Sequence, residues 1–385
     1  MDLRTFRVGM DGAERVTERM KRISKELGLD LSPLMADPKK IGDAEEKNCE
    51  NMFGHVGIPI GLAGPLRWTL STGEQRGTYL PLATTEGALV ASINRGCKAL
   101  TEAGTIRTRC IYHGTTRSLA FRALDGGTDV ARELKDREPE WRAVGEGTSG
   151  HLKILRADID EREGHVFLTI ACDTDEAMGM NMVTIAAAEI GNWVAENLPV
   201  EFVTVAANVD GDKKPSKRTH DLGRGHEVIA EGILPRATVE NILKTTPEQM
   251  VKVARAKLAV GSQIAGSIGK NLHIANVIAA LYLATGQDAA HVVEGSLGDT
   301  TVMPEKDGLR VMVRLPALLV GVRGGGTQLP AQNTALKIIL KEEPSLHPRQ
   351  LLAETIGAAV LAGEMSLLAA QAAHDLAMAH VKLAR

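Results

Sequence analysis

Thr84-Thr85-Glu86-Gly87-Ala88-Leu89-Val90-Ala91-Ser92-Ile93-Asn94-Arg95-Gly96-Cys97-Lys98 decides more of the reading than any other stretch. A threonine at 84 or 85 can cap free backbone N–H groups, so the pattern predicts a helix from Thr85. Leu89, Ile93, Cys97 and Leu100 then recur at helical spacing and predict a buried apolar stripe. Glu86 would occupy the first turn, where the helix dipole stabilises its anion. To hold a usable proton near neutral pH it needs burial or a charged partner. Ser92, Asn94 and Arg95 follow, and Arg95 could grip a phosphate. The same local pattern is also that of an ordinary capped helix with a favourable first-turn glutamate.

A chain of 385 residues can bury a sizeable core and suggests about two domains. A formal charge of −3 gives no polyanion signal, and 3% aromatics argue against base stacking, so nucleic acid is not implied. Cys49, Cys97, Cys110 and Cys172 form no CxxC pair, which reads as four reduced thiols in a cytosolic protein. The stretch from Met1 to Leu29 is charged and amphipathic, unlike a signal peptide. No charge-free run of about 18 apolar residues occurs, so no membrane span and a cytoplasmic location are expected.

Working outward, residues 1–50 read as a polar helical segment, best over Asp11 to Leu27. Gly54 to Pro65 is irregular or strand-like. Short strand-like runs are expected over 105–135, and a solvated helix or loop over Arg132 to Arg142. Leu152 to Ile159 and His165 to Cys172 read as strands around a turn. Met178 to Leu198 reads as helix and Phe202 to Val209 as a strand. Thr246 to Thr285 reads as mostly helical. Leu309 to Val322 reads as one long strand or a pair, interrupted by Pro316. Leu351 to Arg385 reads as a long Ala-rich helix or helix pair.

Several motifs could carry chemistry. Gly211-Asp212-Lys213-Lys214-Pro215 follows the strand expected at 202–209. A lysine projecting from a strand end could stabilise an oxyanion formed when hydride adds to a carbonyl; it could also be an exposed turn. Glu176-Ala177-Met178-Gly179-Met180-Asn181-Met182 offers glycine for close backbone approach and soft methionines for a flat ligand, or a Met-rich core helix. Gly321 to Thr327 can cradle a phosphate but is no GxGxxG fingerprint, so a Rossmann fold is not supported. Asp288, in Gly286 to His291, is a second acid or a polar cap. His380 is a candidate general acid or a silent terminal histidine. His273 reads as a satisfied polar side chain. No HExxH-like cluster appears, so no metal is expected.

The order of these blocks is specific. Glu50-Asn51-Met52-Phe53-Gly54 and Ile58 to Leu66 precede TTEG, AMGMNM, DKKP, Val260 to Ser267, GQDAA, GGGT and LAGEMSL. Over roughly residues 45 to 385 the chain resembles the hydroxymethylglutaryl-CoA (HMG-CoA) reductases, in wording nearer the archaeal and eukaryotic class. The resemblance implies Glu86 as proton donor, Lys213 as oxyanion stabiliser, Asp288 tuning both, and His380 protonating the departing CoA thiolate. It implies Arg117, Asp212, Lys214, Lys257, His273 and Asn276 as substrate residues. Ser92, Asn94 and Arg95 would contact CoA. Ser149, Gly150, His151, Glu176, Met178, Gly179, Met180, Asn181, Met182, Arg323 and Gly324 would contact NADP(H) or NAD(H).

The resemblance also implies an α+β fold. A large mixed α/β substrate domain (51–117 and 206–370) would carry an inserted, small, ferredoxin-like nucleotide domain (118–205). A helical segment (1–50) would precede it and a flap helix (371–385) would close it. It further implies a homodimer, or a larger assembly built from it, with the site between subunits. Departures are Asp175, Glu176, Ala206 and Gly150, the last standing where NADPH users commonly carry arginine; Lys153 or Arg323 could substitute, so NADPH stays the first expectation from the family and NADH the alternative. These departures keep two alternatives open: a CoA- or nucleotide-binding paralogue without turnover, and a reductase of another acyl-CoA.

Overall fold

The computed structural model describes residues 2–124, 128–341 and 345–373. Among these residues nine strands join through one long strand. They are β1 (Ile60–Thr69), β2 (Gln75–Ala83), β3 (Arg107–Ala123), β4 (Lys153–Arg162), β5 (His165–Asp173), β6 (Val200–Thr204), β7 (Gly225–Pro235), β8 (Asp299–Glu305) and β9 (Gly308–Leu318). The first half of β3 pairs antiparallel with β7, and its second half with β5 and β6. The handover is at Gly114, whose φ is 86. A Cβ there would lie 3.0 Å from the Cys172 backbone nitrogen, so glycine alone suits both the conformation and the approach. One sheet runs β2-β1-β3-β7-β9-β8; the other adds β4 beside β5.

The helix Pro348–Ala372 is the hub of the larger core, with Leu351, Ile356, Val360, Leu361, Met365 and Leu368 fully buried. A Cβ on Gly96 would lie 2.0 Å from the Ala362 carbonyl oxygen, so the helix Leu89–Ala103 meets it backbone to backbone. Two buried carboxylates of this central helix pin outlying segments. Glu354 accepts from the Ser71 N–H and the Thr108 hydroxyl. Glu364 accepts from the Leu272 and His273 N–H groups and the Thr300 hydroxyl. These bonds make the buried charge tolerable. By length and composition this helix would also cross a bilayer, yet 94% of its most apolar window is buried in the fold. A second core, including Leu119, Phe121, Trp141, Leu168, Ile170, Ile190 and Val194, lies between β3–β5 and the helices Glu138–Glu146 and Met180–Asn197. The fold is thus the expected mixture of helices and sheet, and its strands pair almost wholly antiparallel.

Several local expectations are corrected. The helix expected from Thr85 begins at Leu89, because the Thr84 hydroxyl accepts the Glu86 N–H at 3.0 Å and Ala88 turns left-handed at φ 70. Glu86 therefore precedes the helix, and first-turn dipole stabilisation does not apply to it. The stripe of Leu89, Ile93, Cys97 and Leu100 is buried as expected. Residues 107–123 form one strand rather than short runs, and Val130–Asp136 is helical. The strand expected at 202–209 is β6 and ends at Thr204, so Lys213 lies in a later turn. β9 is a single strand ending at Leu318; Pro316 falls at a register shift against β7, where its missing N–H costs no ladder bond. The helical stretch 246–285 is broken over 266–273 and contains a π turn, Arg255–Gly261. Strands β2, β7 and β8 had no counterpart in the sequence reading.

Candidate active site

The turn bearing Lys213 is conformationally demanding: Asn208, Gly211 and Lys213 have φ of 66, 66 and 56. Such angles persist only where surroundings impose them. Here the Lys213 N–H donates to Glu294 Oε1 at 3.2 Å, and Arg117 and Arg224 hold Asp212 at 3.3 and 3.0 Å. The Lys213 ammonium then reaches Asp288 Oδ2 at 2.7 Å, with both side chains partly open to solvent. Asp288 Oδ1 also accepts the Ala290 N–H at 3.0 Å. Partial burial pushes the Asp288 carboxyl up, but the Lys213 and Ala290 hydrogen bonds and the nearby His291 and Lys213 charges outweigh it and hold it below its ordinary value.

Lys213 and Asp288 border a cleft of ≈ 910 Å³. Its wall includes Ser149, Met178, Gly179, Met180, Asn181, Met182, Arg323 and Gly324. Gly179, at φ 89, ends the turn that starts the helix Met180–Asn197, so that helix's first N–H groups open toward the cleft. The loop after β9 closes against it: the Val322 N–H donates to the Glu176 carbonyl at 2.9 Å, and Arg323 pairs with the Glu176 carboxylate at 3.4 Å. A Cβ on Gly324 or Gly325 would meet nothing within 4 Å, so this backbone is open to a ligand. Gly150 is equally open. Beside it, His151 and His347 face the Asp175 carboxylate at 3.1 and 3.5 Å.

Beneath the cleft lies a buried charged network. Arg224, 1% exposed, pairs with Glu294, 0% exposed, at 2.7 Å. His291 Nδ1 lies 2.7 Å from the same Glu294 oxygen. Burial pushes Asp212 up, but Arg224 and Arg117 overcome this and keep it below its ordinary value; Asp210, buried deeper, stays raised. Asp212, His291 and Glu294 offer ligand atoms within 4.8 Å of one another, a convergence that the sequence did not suggest. The Arg224 guanidinium supplies the positive charge there, bonding to two of the three.

A sequence model of the hydroxymethylglutaryl-coenzyme A reductase family matches residues 15–385. The chain belongs to that family. It is similar to the 3-hydroxy-3-methylglutaryl-coenzyme A reductase of Pyrococcus horikoshii, at 42% identity over 95% of this chain and 91% of the relative. The reductase of Methanocaldococcus jannaschii is 40% identical over 98% of this chain and 94% of the relative. The fold is shared with the class II reductase of Streptococcus pneumoniae bound to NADPH, with a TM-score of 0.70 and 16% identity over 92% of this chain and 96% of that one.

Against this family, the structure sorts the expected residues into groups. Lys213 and Asp288 meet, and Arg117, Asp212 and Lys214 adjoin them. Arg117 is already engaged by Thr184 at 2.9 Å and by Asp210 and Asp212, and Lys214 donates to the Asp212 carbonyl at 2.9 Å. Glu86, Ser92, Asn94, Arg95, Lys257, His273 and Asn276 do not line the cleft. Ser92 and Arg95 bond to Ser366, Asn94 accepts the Gly64 N–H, and His273 packs near Gly363. The carboxylate of Glu86, which is exposed, and the half-buried Lys257 ammonium make no ion pair among the described residues. His380 and most of the expected flap helix fall outside the described residues. Sequence reasoning missed Asp210, Arg224 and Glu294 and gave His291 no role. The signal available was proximity in sequence: Asp210 precedes DKKP, and His291 and Glu294 follow Asp288 at i+3 and i+6.

Proposed function

We propose that the chain reduces hydroxymethylglutaryl-CoA to mevalonate and CoA in two hydride steps, the observation carrying this being the Lys213–Asp288 pair at 2.7 Å on the rim of the Met- and Gly-lined cleft. A bound NAD(P)H would supply the hydride at each step. Lys213 stabilises the oxyanion left on the thioester carbonyl, its charge worth most in a site shielded from water. Collapse of the hemithioacetal releases the CoA thiolate, which His380 protonates. Glu86 then donates the proton that turns the second alkoxide into the alcohol. Gly179, Gly324 and Gly325 would admit the dinucleotide backbone, and the unit 118–205 would carry it. Arg117, Lys214, Lys257, His273 and Asn276 would hold the acyl part, and Ser92, Asn94 and Arg95 the CoA.

Since Glu86, Lys257 and His273 do not line the Lys213 cleft, we assign them to a site completed by a second copy of the chain. The family and the NADPH-bound Streptococcus pneumoniae enzyme support NADPH as the donor, with Lys153 or Arg323 to meet the 2′-phosphate; open Gly150 and the Asp175 carboxylate beside it support NADH as the alternative. A cytoplasmic location goes with it.

The test is absorbance at 340 nm with HMG-CoA, run in parallel with NADH and NADPH, with mevalonate quantified. Two cofactors consumed per mevalonate, abolished in Lys213→Ala, is the expected result. A folded protein that oxidises neither cofactor would sink the proposal. Faster turnover of another acyl-CoA would redirect it.

A further inference from the structure

The buried residues behind the cleft do more than fill space. His291 is fully buried, and its two ring nitrogens face different carboxylates. Nδ1 lies 2.7 Å from Glu294 Oε1, and a carboxylate only accepts, so Nδ1 carries a proton and donates it. Nε2 has no hydrogen-bond partner and lies 3.7 Å from Asp288 Oδ2. That is an ion-pair distance rather than a hydrogen bond. A lone pair on Nε2 would face a carboxylate lone pair across a poorly screened interior and repel it. A proton there turns the contact attractive.

The other groups around His291 support this. Arg224 and the Lys213 N–H already donate to Glu294 Oε1, balancing its charge. Asp212, from the Lys213 turn, adds a third carboxylate close by. Tyr282, on the helix Ile274–Thr285, has a buried hydroxyl without a partner. Burial and the charges of Glu294 and Asp288 push its ionisation up, so it stays neutral.

We propose that His291, backed by Glu294, is a positioning residue for the Lys213–Asp288 pair: a proton carried on His291 Nε2, facing Asp288 Oδ2 across 3.7 Å, sets where Asp288 sits by charge attraction, while Glu294 fixes the Lys213 backbone. This rests on the reductase reading above. His291 touches neither substrate nor cofactor, and acts through Asp288.

His291→Gln keeps a donor toward Glu294 but cannot hold the second proton. Expected are a kcat about tenfold lower, a KM for HMG-CoA within about threefold, and a flattened pH profile of kcat. In the Asp288→Asn background the same change has little further effect, because the two residues act as one unit. A folded His291→Gln with wild-type kcat and pH profile, or losses that multiply in the double variant, would overturn the proposal. A second measurement needs neither turnover nor a core substitution at His291. In 15N-histidine NMR of the full chain, the His291 Nε2 signal shifts between wild type and Asp288→Asn; an unmoved signal refutes the charged contact. Failure of the wild-type chain to turn over HMG-CoA would refute the reductase reading instead, and leave the NMR result to judge His291.

Discussion

The Lys213 cleft and the turn bearing Glu86 differ in how their charges are held. Around Lys213, Arg117, Asp212, Arg224, Glu294 and Asp288 all have opposite-charge partners within 3.5 Å. On that turn, Glu86 is exposed and makes no ion pair among the described residues. One region is organised within a single chain. The other presents a carboxylate that no described residue neutralises. Preorganised charge spares reorganisation during reaction, whereas exposed groups contribute nothing until something covers them.

Four experiments would break or sharpen that contrast. Arg224→Met leaves Glu294 buried without its guanidinium and Asp212 with Arg117 alone, and should cost about 3–5 kcal/mol of unfolding free energy in a denaturant titration. Glu86→Gln should stay within about 0.5 kcal/mol of wild type in the same titration while losing turnover. Equal losses in the two would erase the contrast. Next, Lys213→Ala should lower kcat by about 10²–10³ with the fold intact by circular dichroism. A smaller fall would mean that Lys213 is only an exposed turn residue.

The third experiment mixes two inactive chains, Glu86→Gln and Lys213→Ala. If each site draws Glu86 and Lys213 from different copies, subunit exchange should restore about a quarter of wild-type activity. No recovery, with exchange verified by mass, would place both residues in one copy's site. The smallest effect is on the donor. Gly150 has open space around it, so Gly150→Arg should fold normally and raise the NADPH to NADH ratio of kcat/KM by about tenfold. An unchanged ratio would put the 2′-position elsewhere.

Much of the candidate site was legible in the sequence because its motifs are short and local. AMGMNM, DKKP, GQDAA and GGGT each travel as one loop or helix start, so their order pointed to the family, and the structure brings them around one cleft. The helix boundary at Thr85 was misread because a threonine can close a turn as well as cap a helix, and Thr84 does the former. β3 was read as fragments because one strand serves two sheets, and its burial pattern changes at Gly114. β7 and β8 escaped because pairing rather than local pattern makes them strands.

By itself the sequence determined the family, the amphipathic stripe of the 89–103 helix and the residues to watch, since periodicity and spaced motifs are properties of a linear chain. Tertiary structure decided which of those residues meet. Lys213 and Asp288 lie far apart along the chain and touch only because Glu294 and Arg224 hold the Lys213 turn in a left-handed conformation. The same packing left Glu86 outside. No local rule contains that outcome, because burying charges in register depends on every segment around them at once.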